Sequence, residues 1–312
     1  MLLGIKKIGF LYDEYYGLDG VTHFVETTPK GQKIKDYDPQ GYLPLKGKKY
    51  MSNSSKFFCN LSYQCLDSFQ IGAKDRVGIY NCTDMPHLED SVTFVNESRA
   101  FGVSGVSPIL APSILANVCS GQMAISSGIN GINFTMTSGA NSVPNGLQIL
   151  NLHIQEEFVD YGIIVSMEVA SHSHNALRAN RKSNSPEFGG AILVGKYDPS
   201  DIAKISYSKT VNIKPVESGL SSLLESGFAD VDLIIVDSGT TTPDNQGVEK
   251  VIRNYYSSPI VYLEDISGKC DNSGNILAIL YSIKAFVTND IKRVLLLSID
   301  ESGSTSLSLI EK

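Results

Sequence analysis

The chain has 312 residues, of which 42% are hydrophobic, so it can bury a core large enough for one α/β domain or for two closely packed halves. Its formal net charge of −7 and pI near 5.3 argue against nucleic acid or an anionic membrane as a partner, because both surfaces repel an acidic protein. A locally basic docking surface is compatible with this charge.

The N-terminus and the cysteines indicate the cellular compartment of the protein. Residues 1–17 contain two lysines, a short apolar run and then acidic residues, which fits neither a signal peptide nor a membrane span. The sequence therefore predicts a cytoplasmic protein with reduced, mostly buried thiols, because no CxxC pair or regular spacing suggests a disulfide framework or a zinc site. The five cysteines are Cys59, Cys65, Cys82, Cys119 and Cys270.

Strands and helices alternate in the first part of the chain. Short apolar or β-branched runs predict strands at Ile5–Tyr12, Val77–Tyr80, Phe134–Thr137 and Tyr161–Met167. Apolar residues at helical spacing predict helices over Lys56–Gly72, Pro112–Gly128 and Val143–Glu156. The continuous apolar run at Tyr161–Met167 is typical of a strand that is covered on both faces.

The second part of the chain repeats this rhythm. Strands are predicted at Gly190–Val194, Val231–Val236 and Arg293–Ile299, and helices at Val216–Ser226 and Asn275–Phe286. The polar stretch Asn180–Pro186 predicts a surface loop rather than a linker between domains. Alternation of this kind predicts one continuous α/β unit with mostly parallel sheets and helices on their faces.

An ordered series of short motifs lies between Ser107 and Glu168. The series consists of Ser107-Pro108, Pro112-Ser113, Gly121-Gln122, Gly128 and Gly131-Ile132-Asn133, and it continues without a gap to Glu168. It resembles the centre of the elongating β-ketoacyl synthases of fatty acid and type II polyketide synthesis, whose SP, PS/N, glycine, GPN and GGxE motifs follow in the same order. The resemblance extends over roughly Asp36 to Lys312.

In the register of this resemblance, the nucleophilic cysteine of the family falls on Ala140, within Ser138–Ser142. The family's chemistry requires a thiolate at a helix N-terminus, where the helix dipole lowers the pKa of the thiol and backbone N–H groups stabilise an oxyanion. A methyl group cannot attack a thioester. The resemblance therefore implies that the nucleophile has been lost.

Two later segments resemble the family's histidine motifs. Val236–Pro243 is similar to the HGTxTP segment, and Ser238 stands at its histidine. Gly268-Lys269 is similar to the GH pair that opens a helix, and Lys269 stands at its histidine. The two imidazoles normally drive decarboxylation and stabilise the enolate, roles that neither serine nor lysine reproduces. Ala140, Ser238 and Lys269 are therefore predicted to mark a vestigial catalytic site.

The family's glycine-rich gating loop, GFGGTN, corresponds to Asp300–Thr305. This segment has lost the bulky gate residue and two glycines. Loss of glycine removes the conformational freedom that such a loop uses. The resemblance thus implies loss of gating together with loss of the catalytic side chains.

The resemblance implies an α/β, thiolase-like fold of five layers, α-β-α-β-α, with two similar halves at residues 1–174 and 175–312. It also implies a non-catalytic chain length factor, or KSβ subunit, that forms a heterodimer with a catalytic ketosynthase in type II polyketide, polyene or specialised fatty acid synthesis. An acyl carrier protein would be the second partner. Phosphopantetheine would arrive on that carrier, so the chain itself is expected to hold no cofactor and no metal.

In this family the growing acyl chain runs in a tunnel at the dimer interface. The resemblance makes Phe94, Phe101, Ile109, Leu110 and Ile114 tunnel candidates, and ordinary core packing is the alternative for each of them. The interface of this fold pairs one strand with its counterpart across the two-fold axis. The candidates for that strand are Phe134, Thr135, Met136 and Thr137.

Other interpretations stay open. Ile234–Thr240 matches a short aspartic protease pattern, but that chemistry needs a second carboxylate and an all-β chain, so a strand end followed by a turn is the competing interpretation. The chain could instead be a homodimeric scaffold that holds an acyl carrier protein or an acyl chain. It could also be an acyltransferase or decarboxylase of unusual mechanism that uses Ser238 or Lys269.

Two further polar features have structural interpretations. His172-Ser173-His174 follows a buried strand, and this position predicts a solvated loop rather than a metal or triad site. Glu168 is predicted to orient the turn at Ala140 rather than to transfer protons.

Overall fold

The computed structural model describes residues 1–29, 31–44, 47–108, 111–179, 186–239, 245–270, 272–300 and 302–312. Eleven strands are present in this part of the chain. They are β1 (Leu3–Tyr12), β2 (Tyr15–Tyr16), β3 (Val77–Asn81), β4 (Asn133–Thr135), β5 (Tyr161–Glu168), β6 (Phe188–Lys196), β7 (Ala203–Asn212), β8 (Leu233–Asp237), β9 (Ile260–Tyr262), β10 (Arg293–Ile299) and β11 (Ser304–Glu311).

The same residues form ten α-helices. They are α1 (Gly17–Thr27), α2 (Asn53–Leu66), α3 (Leu88–Phe101), α4 (Val118–Ser127), α5 (Ser142–Gln155), α6 (His172–Ala179), α7 (Val216–Leu224), α8 (Asn245–Arg253), α9 (Glu264–Ser267) and α10 (Gly274–Thr288). None of them is long and apolar enough to cross a membrane.

The predicted strands and helices are present, with shifts at their ends. The helix predicted over Pro112–Gly128 is divided into a 3₁₀ turn at Ala111–Ile114 and the helix α4. Ser52 begins α2 earlier than predicted, because its side chain accepts a hydrogen bond from the N–H of Ser55 and so caps the helix. The prediction missed α1, α3, α6, α8, α9, β2, β7, β9 and β11, of which α3 buries none of its side chains and shows no apolar stripe.

Ten of the strands follow one another in the order β4-β3-β5-β6-β1-β7-β11-β10-β8-β9, and β2 pairs with β1 alone. In the first five, β3 is parallel to β4 and β5, whereas β6 is antiparallel to β5 and β1. The last five repeat this arrangement, since β8 is parallel to β9 and β10, and β11 is antiparallel to β10 and β7.

The prediction of mostly parallel sheets is therefore wrong, because each set of five strands is mixed. The tight turn between β10 and β11 shows the reason: the N–H of Gly303 donates to the carbonyl of Asp300, and a connection this short can join only antiparallel strands. The prediction contained β10 but not β11. Its helix-strand rhythm could not reveal such a hairpin.

Three apolar clusters fill the space between the layers. The central cluster joins the two sets of strands to α5 and α10, as Ile164 and Leu296 on the strands and Leu147 and Ile279 on the helices show. A second cluster packs α2 and α4 on the first set of strands, and a third packs α7 on the last set. Helices therefore lie outside and between the sheets, which confirms the predicted five-layered thiolase-like fold.

The division into residues 1–174 and 175–312 stays a prediction. The strand order adds one relevant fact, because β6 follows residue 174 in sequence yet lies between β5 and β1. Along the sequence, the first set of five strands therefore ends with β6, and the second set begins with β7. Among the described residues, the short pairing of Leu3–Ile5 with Ala203–Ile205 joins the two sets edge to edge.

Candidate functional site

Ala140 lies in a 3₁₀ turn, Gly139–Asn141, directly before α5, and only 2% of its surface is exposed. Gly139 has φ +55°, and a Cβ at this position would overlap with the carboxylate of Asp300, so the turn requires glycine for two reasons. The N–H of Gly139 donates to Asp84 Oδ2 over 3.0 Å. The turn is thus held between two carboxylates from other parts of the chain.

The carbonyl oxygen of Ala140 connects the two sets of strands. It accepts a hydrogen bond of 2.8 Å from Asn275 Nδ2, at the start of α10, and one of 3.1 Å from Ser298 Oγ, on β10. Both donors are buried. A buried carbonyl with two donors holds its position, so the backbone at Ala140 is fixed by the second part of the chain.

Asp237 ends β8 beside this carbonyl. Its Oδ1 accepts from the N–H of Gly239 over 3.0 Å, and its Oδ2 accepts from Asn275 Nδ2 over 2.9 Å. Asn275 therefore donates to both Asp237 and Ala140. The carboxylate also lies against Gly274, where any Cβ would overlap with it. This close approach explains a glycine as the first residue of α10.

Ser238 and Gly239 form a turn that covers the methyl group of Ala140. Ser238 is 4% exposed, and Gly239 has φ +56°. A Cβ at Gly239 would lie 3.1 Å from the Cβ of Ala140 and 3.8 Å from the carbonyl oxygen of Cys270. The backbone next to Lys269 therefore reaches the same place, so the structure brings together the three segments that carry the predicted vestigial positions. Their catalytic ancestry stays a prediction.

Burial controls the electrostatics of this centre. The pKa of Asp237 is raised from 3.8 to about 7, chiefly by desolvation; the hydrogen bonds from Gly239 and Asn275 oppose the rise, and the charges of Glu168 and Asp300 add to it. Glu168 is itself 1% exposed and accepts a hydrogen bond of 2.8 Å from Ser273 Oγ. The centre is a buried, acidic, hydrogen-bonded network.

The predicted nucleophile position carries no nucleophilic side chain. Ala140 offers a methyl group, which cannot act as a nucleophile, and the turn at Ser238–Gly239 packs against it. In the described part of the chain, no group of three or more His, Cys, Asp or Glu side chains is arranged to hold a metal ion. The remainder of the HGTxTP-like segment, residues 240–243, lies outside the described residues.

The five cysteines are all buried. Burial raises the pKa of the thiols of Cys59, Cys65 and Cys82, and it raises the pKa of Cys119 to about 12. Cys119 accepts a weak hydrogen bond of 3.9 Å from Ser55 Oγ. These four thiols remain protonated at neutral pH, so none of the four is an activated nucleophile.

Three of the five tunnel candidates can be placed. Phe94 and Ile114 are half-buried and Phe101 is 71% exposed, whereas Ile109 and Leu110 lie outside the described residues. Phe101 is therefore not a core residue, which removes the alternative interpretation for this candidate. Other apolar side chains between residues 88 and 127 are exposed as well, and we refer to this stretch as the 88–127 segment: Val92, Val95, Val103, Leu115 and Ile125.

The interface candidates lie at one end of the sheet. β4 is the terminal strand of the described sheet, where it pairs with β3 through Phe134 opposite Tyr80. Phe134 and Met136 are half-buried against the central cluster, whereas Thr137 is exposed. An edge strand presents backbone N–H and C=O groups that a second chain can pair with. The location agrees with the predicted role, which stays a prediction.

One sequence-based interpretation needs correction, and one stays untested. His172–His174 is the first turn of α6 rather than a solvated loop, and His174 is 4% exposed because its ring contacts Ser171 Oγ at 2.6 Å and the carbonyl of Met85 at 3.0 Å. Glu168 accepts a hydrogen bond from Ser273, at the start of α10, and its role in orienting the turn at Ala140 stays a prediction. Asp84 is the carboxylate bonded to the turn at Ala140.

Sequence reasoning also missed Asp84, Asn275, Ser298 and Asp300 as members of the centre. A signal was present for two of them, because Asn275 opens an apolar helix and Ser298 interrupts an apolar strand. A polar residue in such a place is usually satisfied by a specific partner. The identity of that partner depends on contacts between residues far apart in sequence.

No protein-family model and no curated protein matches this sequence. Solved structures match its fold over nearly the whole length of both chains. The ishigamide ketosynthase/chain length factor has a TM-score of 0.83 at 15% identity and covers 100% of this chain and 99% of its own. This coverage includes the N-terminal residues that precede Asp36, which the sequence motifs did not reach.

Two further structures show the same fold. A type II polyketide synthase acyl carrier protein in complex with its ketosynthase bound to the hexaketide, AntDE:AntF, has a TM-score of 0.83 at 11% identity, with 99% of each chain covered. A β-ketoacyl synthase from Burkholderia phymatum STM815 has a TM-score of 0.78 at 10% identity, again with 99% of each chain covered. At these identities the comparison shows the fold: this chain has the thiolase-like fold of ketosynthases and chain length factors.

Proposed function

We propose that this chain is a non-catalytic subunit of the chain length factor type, which pairs with a catalytic ketosynthase in type II polyketide, polyene or specialised fatty acid synthesis. The observation that carries the proposal is the centre itself. The position aligned with the nucleophile is the methyl of Ala140, covered by the turn at Ser238–Gly239 and tied to Asn275 and Ser298.

The surface supports a role in pairing. The 88–127 segment exposes apolar side chains, with Phe101 71% and Val103 85% exposed, and β4 leaves a sheet edge nearby in the topology. Exposed apolar groups and an open strand edge are what an obligate partner covers. A neighbour in fold is itself a ketosynthase/chain length factor, which supports the same role for this chain.

The carrier protein enters this proposal through the chemistry of the pathway. An acyl carrier protein delivers extender units on its own phosphopantetheine, so the subunit would shape the tunnel and dock the carrier without a cofactor of its own. A second neighbour in fold is a ketosynthase in complex with its acyl carrier protein, which supports this partner. Phe94, Phe101 and Ile114 would line the tunnel on this side of the heterodimer.

The test is co-expression with a catalytic ketosynthase encoded beside the chain, followed by size exclusion and an elongation assay with malonyl-loaded carrier protein. We expect a stable 1:1 complex that elongates only when both subunits are present. A soluble homodimer that neither binds the ketosynthase nor changes its products would reject the proposal in favour of a homodimeric scaffold. Elongation by this chain alone would reject the non-catalytic assignment.

A further inference from the structure

A serine and a histidine form a close pair at the start of α6. Ser171 Oγ lies 2.6 Å from His174 Nδ1, and His174 Nε2 lies 3.0 Å from the carbonyl oxygen of Met85. A carbonyl oxygen only accepts hydrogen bonds, so Nε2 carries the proton of the neutral ring and Nδ1 is the acceptor. The hydroxyl of Ser171 therefore donates to Nδ1.

The surroundings fix the histidine and leave the serine accessible. His174 is 4% exposed, and its two ring nitrogens contact Ser171 and the carbonyl of Met85. Ser171 is half-buried and lines a cleft of about 510 Å³. A base that is oriented by one hydrogen bond and contacts a hydroxyl by the other is the arrangement that activates serine as a nucleophile.

The same serine begins the helix. Its Oγ accepts a hydrogen bond of 3.2 Å from the N–H of His174, so Ser171 is the N-cap of α6. Capping requires only an acceptor, which asparagine or aspartate also provides, and it does not require the contact with the imidazole. The cap position places Oγ at the positive end of the helix dipole, where an oxyanion that forms on a substrate is stabilised.

Glu89 of α3 places a negative charge beside the pair. Its Oε2 accepts a hydrogen bond of 2.8 Å from the N–H of Ser173, in the first turn of α6. Desolvation alone would raise the pKa of Glu89, but the hydrogen bonds of Ser173, the contact with Ser171 and the charge of His172 lower it. The ionised carboxylate favours the imidazolium that forms when His174 takes up a proton.

The cleft indicates the kind of molecule on which the pair acts. Lys33 and Lys35 line one part of it, Glu89 and Asp90 line another, and Val169 contributes apolar surface. Its volume is that of a small-molecule site rather than of a protein interface. Charged walls of both signs favour a short, polar acyl compound over a long hydrocarbon chain.

We propose that Ser171 and His174 are the nucleophile and the general base of a hydrolase site for short acyl esters or thioesters. Ser171 Oγ forms a bond to the acyl carbonyl carbon while its proton passes to His174 Nδ1. The bond to the leaving oxygen or sulfur then breaks, and the leaving atom takes this proton. Water attacks the acyl-serine by the same two steps, so the carboxylic acid leaves and the hydroxyl is restored.

This activity is independent of the proposed function. The reaction does not involve Ala140, and a subunit that does not catalyse condensation can still carry a hydrolase site elsewhere. Loss of hydrolysis therefore leaves pairing with a ketosynthase unaffected, and the two are measured separately.

The test supplies the full-length chain with p-nitrophenyl butyrate, an oxygen ester, and with the butyryl thioester of N-acetylcysteamine. We expect hydrolysis of at least one of them, and the faster substrate identifies the leaving group. Ser171→Asn keeps a capping acceptor and removes the nucleophile, whereas His174→Gln removes the base. Each should lower the rate at least about a hundredfold.

The matched controls are Ser52→Asn and His23→Gln. Ser52 is the N-cap of α2, where its side chain contacts Ser55 rather than a histidine, and His23 stacks on the ring of Tyr15. Both variants should hydrolyse at the parent rate. Thermal unfolding of Ser171→Asn at the parent Tm would show that the cap is intact.

A fluorophosphonate probe tests the parent chain directly, without any substitution. We expect peptide mass spectrometry to locate the phosphonyl group on Ser171. No hydrolysis of either substrate by the parent, an unchanged rate in Ser171→Asn, equal losses in the control variants, or a label on another residue would each overturn the proposal. Ser171 would then be a helix cap alone.

Discussion

The buried centre and the 88–127 segment differ in how completely their side chains are satisfied. In the centre, the carbonyl of Ala140 has two donors, and the carboxylate of Asp237 has two as well. In the 88–127 segment, α3 buries none of its side chains, and Phe101 and Val103 are mostly exposed. The position that the sequence resemblance aligns with a catalytic cysteine is core, whereas the exposed apolar side chains lie at the surface.

This difference has a physical consequence for how each region responds to change. A buried polar network loses stability when one partner is removed, because the remaining groups stay desolvated. An exposed apolar segment loses little stability, but it loses the area that a partner would remove from water. Stability measurements should therefore report on the centre, and binding measurements should report on the segment.

The largest effect is expected from Asn275→Ala. This change removes the one donor shared by Ala140 and Asp237, so we expect the free energy of unfolding to fall by about 3 kcal/mol in urea denaturation at neutral pH. Asn289→Ala, in the exposed residue after α10, is the control and should change it by less than about 0.5 kcal/mol. Equal effects of the two changes would show that the network at Ala140 is not a stabilising core.

The next effect is a pH dependence. The pKa of Asp237 is raised from 3.8 to about 7 in the folded chain, so between these values the folded state keeps a proton that the unfolded chain has lost. Stability from this group is therefore present below about pH 4, decreases as the pH rises and is lost above about pH 7. Between pH 5 and 8, the parent should lose about 2 kcal/mol more than Asp237→Asn.

Urea denaturation of both proteins at pH 5 and 8 gives this difference directly, and comparison with the variant cancels the other buried acids. Asp290→Asn, at an exposed carboxylate, is the matched control and should leave the parent's pH dependence unchanged. If Asp237→Asn has the same slope as the parent, the Asp237 carboxyl is not buried as the structure shows.

A smaller effect is expected at the surface. Phe101→Glu combined with Val103→Glu should raise the Kd for the ketosynthase about tenfold, or about 1.4 kcal/mol, because it places charge in an apolar interface. The free energy of unfolding should change by less than about 0.5 kcal/mol. Val287→Glu, at a residue 69% exposed on α10, is the control, and an equal loss of pairing there would remove the 88–127 segment from the interface.

The smallest effect is expected from Ala140→Cys, which restores a thiol without restoring a catalytic site. The side chain is buried against Gly239, and the predicted histidine positions hold Ser238 and Lys269. We expect no condensation product from this variant alone in the elongation assay, and no alkylation of the new thiol under conditions that label the ketosynthase cysteine. Product formation would show that the centre retains more of its chemistry than its packing indicates.

The sequence by itself determined much of the fold and one part of the site. The predicted strands and helices are present, because apolar periodicity and capping residues such as Ser52 act within a few residues of the chain. The absence of a nucleophile at Ala140 also follows from the sequence once the motif series from Ser107 to Glu168 sets the register. The sequence also contains signals that the prediction did not use, because β7 and β11 alternate apolar and polar residues as strands do.

Only the tertiary structure decided which residues meet. Asn275 reaches Ala140 across 135 positions of sequence, and Ser298 reaches it across 158. Whether a residue such as Phe101 lies in the core or at the surface also depends on what packs over α3. The sequence of the helix alone does not indicate this. Local patterns encode local structure, whereas contacts between distant segments depend on how the layers pack, and that packing buries the acid at Asp237 and leaves the 88–127 segment exposed.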